Sequence, residues 1–79
     1  NVRRKAALAL GKIKDKSAVL PLIAGLKDNE SRFQLEAAEA LGKINDSRAI
    51  QPLTEAMKHF DTNIRHEASL ALQKIESSN

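Results

Sequence analysis

The 79-residue chain is predicted to be all-α, an α-α superhelix of about two and a half stacked helix pairs. One ten-residue block recurs three times, as AALALGKIKD at residues 6–15, AAEALGKIND at 37–46 and ASLALQKIES at 68–77. Its register never slips: Leu10, Leu41 and Leu72 lie 31 residues apart, as do Ile13, Ile44 and Ile75. A fixed period of this size marks units that bury their apolar faces only by stacking on copies of themselves. Apolar residues inside each period also recur at i, i+3, i+4 and i+7, the spacing of one helix face. Finally, the chain is 42% apolar but only 3% aromatic, so its core must be built from Ala, Leu, Ile and Val, which suits small helices in close contact.

The elements follow in order. A first helix of one kind, B, is expected on Val2, Ala6, Ala9, Leu10 and Ile13. A helix of a second kind, A, is expected over 18–28, with Val19, Leu22, Ile23 and Leu26 as its stripe and Asp15 placed to cap its start. The next B helix carries Phe33, Ala37, Ala40, Leu41 and Ile44, and Ser31 with Gln34 fits a capping box at its opening. A second A helix carries Ile50, Leu53 and Met57 behind Asp46, and a third B helix carries Ile64, Ala68, Ala71, Leu72 and Ile75. Five helices in the order B-A-B-A-B are thus predicted, forming one domain over residues 1–79. Pro21 and Pro52 fall in or near the first turn of each A helix, where a missing N–H costs least, with a kink expected there. Gly11 and Gly42 sit inside the B pattern at a cost of about 1 kcal/mol relative to Ala, which implies a close approach of neighbouring helices.

Helices of roughly 12 residues are only about 18 Å long and cannot close a core in pairs. The chain opens on a B pattern and on Asn rather than Met, so an A helix is expected to be missing before Val2. The expectation is the C-terminal part of a longer array, or else a dimer through this exposed end. Gln73 in place of the glycine, followed by the polar Glu76, Ser77, Ser78 and Asn79, suggests that the array stops here.

The string VRRKAALALGKIKDKSAVLPLIAGLKD, residues 2–28, resembles a HEAT-like repeat of the phycobilisome-lyase type: VR, AA, ALG, an Ile, an Asp, Pro-Leu, then a closing Leu-Lys-Asp. The resemblance spans essentially the whole chain. Departures are Phe33-Gln34 and Ile64-Arg65 for Val-Arg, Gln73 for the glycine, and His59-Phe60 for Asp-Asn. It implies a HEAT-like solenoid and, through the narrower type, an accessory subunit or chaperone of a bilin-lyase-type system. DNA-binding proteins with similar repeats imply a nucleic-acid-binding alternative.

Function must come from surface that packing leaves free. At about 100° per residue, Leu35 and Glu39 point away from the stripe of their B helix, with Arg4 and Leu8, then His66 and Leu70, at the equivalent positions. B helices of such arrays resemble those that line the concave face, so these six should form a mixed strip for a protein or peptide partner. A non-enzymatic interaction scaffold is the reading that results. A net charge of +3 with no run of five like charges argues for neither nucleic acid nor an anionic membrane. Lys12, Lys43 and Lys74 form a ladder whose ordinary role is to offset the B-helix dipoles, and without Trp or Tyr for stacking, nucleic acid is not the expected partner. No membrane-spanning run or signal-peptide pattern occurs, and the expected location is cytoplasmic.

Chemistry is sparse. Zero cysteines exclude disulfides and thiolate chemistry. IRHEASLAL, residues 64–72, resembles the His-Glu motif of deoxyhypusine hydroxylases, which hold two irons between several such pairs. Only His66-Glu67 is present here. With Glu36 it falls short of three well-placed ligands and an open position, while Arg4 and Lys5 would repel a cation; no metal or cofactor is expected. Ser69 near His66 has no acid or oxyanion-hole pattern beside it, and His59 reads as a helix C-terminal residue favoured by the dipole.

Overall fold

The computed structural model describes residues 2–28, 30–59 and 61–77, with the side chains of residues 2–4 outside the description. Val2 and Arg4 therefore have a place in a helix but no described contacts. The described residues form five α-helices and no strand: α1 (Val2–Lys12), α2 (Val19–Gly25), α3 (Ser31–Ile44), α4 (Ile50–Ala56) and α5 (Thr62–Ser77). α1, α3 and α5 are the B helices and stack side by side, with α2 packed on α1 and α3 and α4 on α5. This is an all-α helical-repeat solenoid, two helical layers measuring 30 × 28 × 15 Å.

The A helices are shorter than their sequence pattern suggests. Each is seven residues of α-helix entered through a three-residue 3₁₀ turn, Lys16–Ala18 before α2 and Ser47–Ala49 before α4. The aspartates cap these turns: the Asp15 carboxylate accepts from the Ser17 N–H and the Asp46 carboxylate from the Arg48 N–H, each at 2.9 Å. Pro21 and Pro52 are the third residues of α2 and α4. Their missing N–H groups thus fall among those that no helical carbonyl would reach.

Asp46 is further gripped by the Arg48 side chain, with Nη2 2.9 Å from Oδ2 and Nε 3.1 Å from Oδ1. These bonds, followed by the backbone N–H of the same residue, hold its carboxyl down to about 2 from an ordinary 3.8. The cap's stabilisation is therefore complete above the ordinary value and is lost as the pH falls towards and through about 2. Asp46→Ala should cost about 1 kcal/mol at neutral pH, as loss of an N-cap does, and should flatten the fall in urea midpoint between pH 5 and pH 2. A midpoint equal to that of the parent at every pH would show that the turn forms without the carboxylate.

The turns from A to B helices run differently from the sequence reading. Ser31 and Gln34 make no capping box: α3 has Glu30 at its N-cap and no side-chain bond there. Gln34 is instead buried, its amide donating to the carbonyls of Asp28 at 2.6 Å and Leu26 at 3.3 Å. One repeat later Arg65 does the same work, its Nη1 donating to the His59 carbonyl at 2.7 Å. The second residue of the Val-Arg pattern is thus a staple across the A-to-B turn, and glutamine serves because its amide reaches the same carbonyl. His59 does follow the C-terminus of α4, its N–H donating to the Ala56 carbonyl at 3.1 Å, and its ring makes a further bond. Its Nδ1 accepts from the Asp61 N–H at 3.0 Å, as the Asp28 carboxylate accepts from Glu30 at 2.9 Å. In this turn the imidazole occupies the place that the Asp28 carboxylate has one repeat earlier.

The core follows the stripes. Val19, Leu22, Leu41, Leu53, Ile64 and Ile75 are fully buried. Gly11 and Gly42 mark the closest approaches between B helices: a Cβ on Gly11 would lie 2.9 Å from that of Ala40, and one on Gly42 3.0 Å from both Cα and Cβ of Ala71. Both contacts have the same repeat positions, so one glycine-on-alanine notch sets the pitch of the B layer. Among the described side chains, four stripe residues are exposed, Ala6, Ala9, Ile13 and Met57, the first three on the α1 stripe that the sequence pattern already leaves partly uncovered. Met57 is 41% exposed where the equivalent Leu26 is 8% exposed, because Leu26 has α4 beside it and no described helix lies beyond α4. Ile13 is 71% exposed while Ile44 and Ile75 are buried.

Candidate partner-binding face

Three B helices side by side leave shallow grooves between them. The groove between α1 and α3, about 120 Å³, has Leu8, Gly11 and Ala40 as its apolar floor, with Lys12, Lys43, Glu36 and Glu39 as its rim. The glycine notch creates it: where α1 and α3 touch through Gly11 and Ala40, the longer side chains on either side stand up as walls. Lys43 Nζ lies 3.3 Å from Glu39 Oε1 one turn away, an exposed pair with Glu on the N-terminal side. Such pairs contribute only about 0.3–0.5 kcal/mol, so it fixes the rim more than the fold.

The six residues expected to form one strip do not lie together. Leu8 and Glu39 line the same groove. Leu35 lines another cavity, about 210 Å³, between the starts of α3 and α5, with Ser31, Arg32, Asp61, Asn63 and Ile64. His66 and Leu70 are exposed neighbours one turn apart on α5. The Arg4 side chain lies outside the described residues. Leu8 and Leu35 are half-buried and pack against the core, whereas Leu70 is 38% exposed. The difference is positional. α1 and α3 each have a B helix on the C-terminal side to cover that leucine, and α5 has none among the described helices.

Residues that the pattern alone assigned to packing or the helix dipole line this groove, Gly11 and Ala40 in the floor and Lys12 and Lys43 at the rim, as does Glu36, which the sequence had weighed only as a metal ligand. The signal was present in the 31-residue repetition of Lys12 and Lys43, but a ladder of lysines does not say that a groove runs beneath it. His66 is exposed and Glu67 and Glu36 are half-buried. Among the described residues no group of three or more His, Asp or Glu side chains is arranged to hold a metal ion.

A family model for HEAT repeats matches residues 1–77. The chain belongs to the HEAT-repeat family. HEAT repeats commonly mediate protein–protein interaction, and the family is generally a non-catalytic scaffold. Comparison with curated proteins gives no match. Among the described residues of this HEAT-repeat chain no helix is long and apolar enough to cross a membrane.

Proposed function

We propose that this chain is a protein-interaction module that presents its B-helix layer, α1, α3 and α5, to a protein or peptide partner. The groove between α1 and α3 carries the reading: an apolar floor of Leu8, Gly11 and Ala40 inside a rim of both charges. Apolar anchors with a charged surround are what a protein partner uses, whereas a nucleic acid asks for a rim of one sign. A role beside a bilin-carrying protein, which the resemblance to phycobilisome-lyase repeats implies, is one case of the same reading with the carrier as partner.

The test compares two pairs of substitutions in full-chain pull-downs. Leu70→Glu with Lys43→Glu alters the B face. Lys27→Glu with Lys58→Glu alters the groove between α2 and α4, which those lysines line. Proteins retained by the parent and by the α2–α4 variant should be lost from the B-face variant, with both variants melting close to the parent. Equal retention by both variants defeats the proposal. Duplex DNA should bind the parent no tighter than the non-specific range of about 10⁻⁴ to 10⁻⁶ M at physiological salt, and tighter binding lost on changing Lys12, Lys43 and Lys74 to Glu would favour nucleic acid instead.

A further inference from the structure

The two seams of the B layer are built alike, yet their lysines lie differently. A Cβ on Gly42 would have Cδ of Lys74 3.7 Å away, so the stem of that lysine lies along the α3–α5 seam. At the same place on Gly11 the nearest atoms are those of Ala40 and Leu22, out to 3.9 Å, and none belongs to the equivalent Lys43. One sequence difference accounts for this. The residue one turn before Lys43 is Glu39, whose Oε1 holds the lysine Nζ at 3.3 Å, while the residue one turn before Lys74 is Leu70, which offers no charge. Glu39 thus draws Lys43 off the notch and leaves the α1–α3 groove open above Leu8, Gly11 and Ala40.

The same pairing decides which rim charges meet an occupant. With Glu39 and Lys43 paired to each other, Lys12 and Glu36 have no ion-pair partner among the described residues. α2 reverses the chain between α1 and α3, so those two helices run the same way; Gly11 against Ala40 then places Lys12 about five residues beyond Glu36, roughly 7 Å along the groove. One end of the groove is therefore cationic and the other anionic. Between them is room of about 120 Å³, less than the roughly 150 Å³ that holds benzene, which suits one aliphatic side chain. An amphipathic helix needs anchors on successive turns and does not fit so short a floor.

We infer, resting on the interaction reading above, that this groove takes an extended segment of a partner protein in which one aliphatic side chain stands between a basic residue on Glu36 and an acidic residue on Lys12. Alternate residues of an extended chain face one side, so the fitting pattern is basic, any, aliphatic, any, acidic. Its charged ends lie roughly 13 Å apart, a span that the long side chains of Lys12 and Glu36 reach by splaying outwards.

The probe is the capped pentapeptide Lys-Ser-Leu-Ser-Asp, titrated into the isotope-labelled chain and followed through the backbone amide signals of Gly11 and Ala40. It should shift both signals to saturation, with an affinity at least about 10-fold above that of Lys-Ser-Leu-Ser-Lys or Lys-Ser-Ser-Ser-Asp. Lys12→Glu, a change on an exposed side chain, should turn the preference over in favour of the peptide with two lysines. Glu39→Leu should abolish binding by letting Lys43 lie across Gly11, and Lys43→Ala added to it should restore binding. No movement of the Gly11 and Ala40 signals, equal affinities for the three peptides, an unchanged preference in Lys12→Glu, or a loss in Glu39→Leu that Lys43→Ala does not restore overturns the inference. Any of these results beside pull-downs that still separate the B face from the α2–α4 groove removes the stated occupant alone, whereas equal retention in the pull-downs removes the interaction reading itself.

Discussion

Gly42→Leu is expected to destabilise the fold by about 3 kcal/mol, the upper end of the usual cost of overpacking. The cause is backbone contact. The first atom of any side chain at residue 42 would lie 3.0 Å from the Ala71 Cα, so no rotamer of the new residue relieves it and α3 must move away from α5. That separation opens the seam over which Leu41, Ile44, Ala68 and Ile75 are buried. Gly42→Ala should cost less, since about 1 kcal/mol of helix propensity is recovered against the same approach. Gln73→Leu, at the repeat-equivalent but exposed position, should change stability by no more than about 0.5 kcal/mol. Urea denaturation of the three variants checks the series. A Gly42→Leu protein within 1 kcal/mol of the parent would show that the glycine notch does not set the helix spacing.

Leu41→Ala should cost between about 2 and 5 kcal/mol, whereas Leu10→Ala, the same change at the same place in the preceding repeat, should cost less than about 1 kcal/mol. Leu41 is fully buried between the two layers, and the surrounding helices can only partly collapse on the cavity. Leu10 is half-buried on a helix covered from one side, so truncation there removes little buried surface and leaves no closed cavity. Stabilities of small domains are only several kcal/mol, which puts Leu41→Ala near the limit of folding at ambient temperature and leaves Leu10→Ala folded. Equal costs at the two sites would mean that repeat position rather than coverage governs stability.

The candidate face was partly legible. Helical periodicity gives Leu8, Leu35 and Leu70 the same repeat position on successive B helices, but Leu70 is exposed and the other two are half-buried. The charged rim of the α1–α3 groove comes from residues up to 31 apart, Lys12 and Lys43, together with two glutamates of α3. Nothing in a local pattern places those side chains around one floor.

By itself, the sequence determined the five helices, their order and the caps of the 3₁₀ turns, because each depends on residues within one or two turns of chain: the apolar spacing, the prolines in the first turns of α2 and α4, and the aspartates two residues before the N–H they accept. The 31-residue period also determined that like helices stack, since the same stripe must meet the same neighbour in every unit. Tertiary structure alone decided what each copy of a pattern does. Ile13 and Ile44 are the same letter in the same motif, yet one is bare and the other buried; Gln34 and Ser31 spell a capping box, yet the glutamine turns inward to staple a carbonyl. Burial is a property of two surfaces, and a repeat specifies only its own.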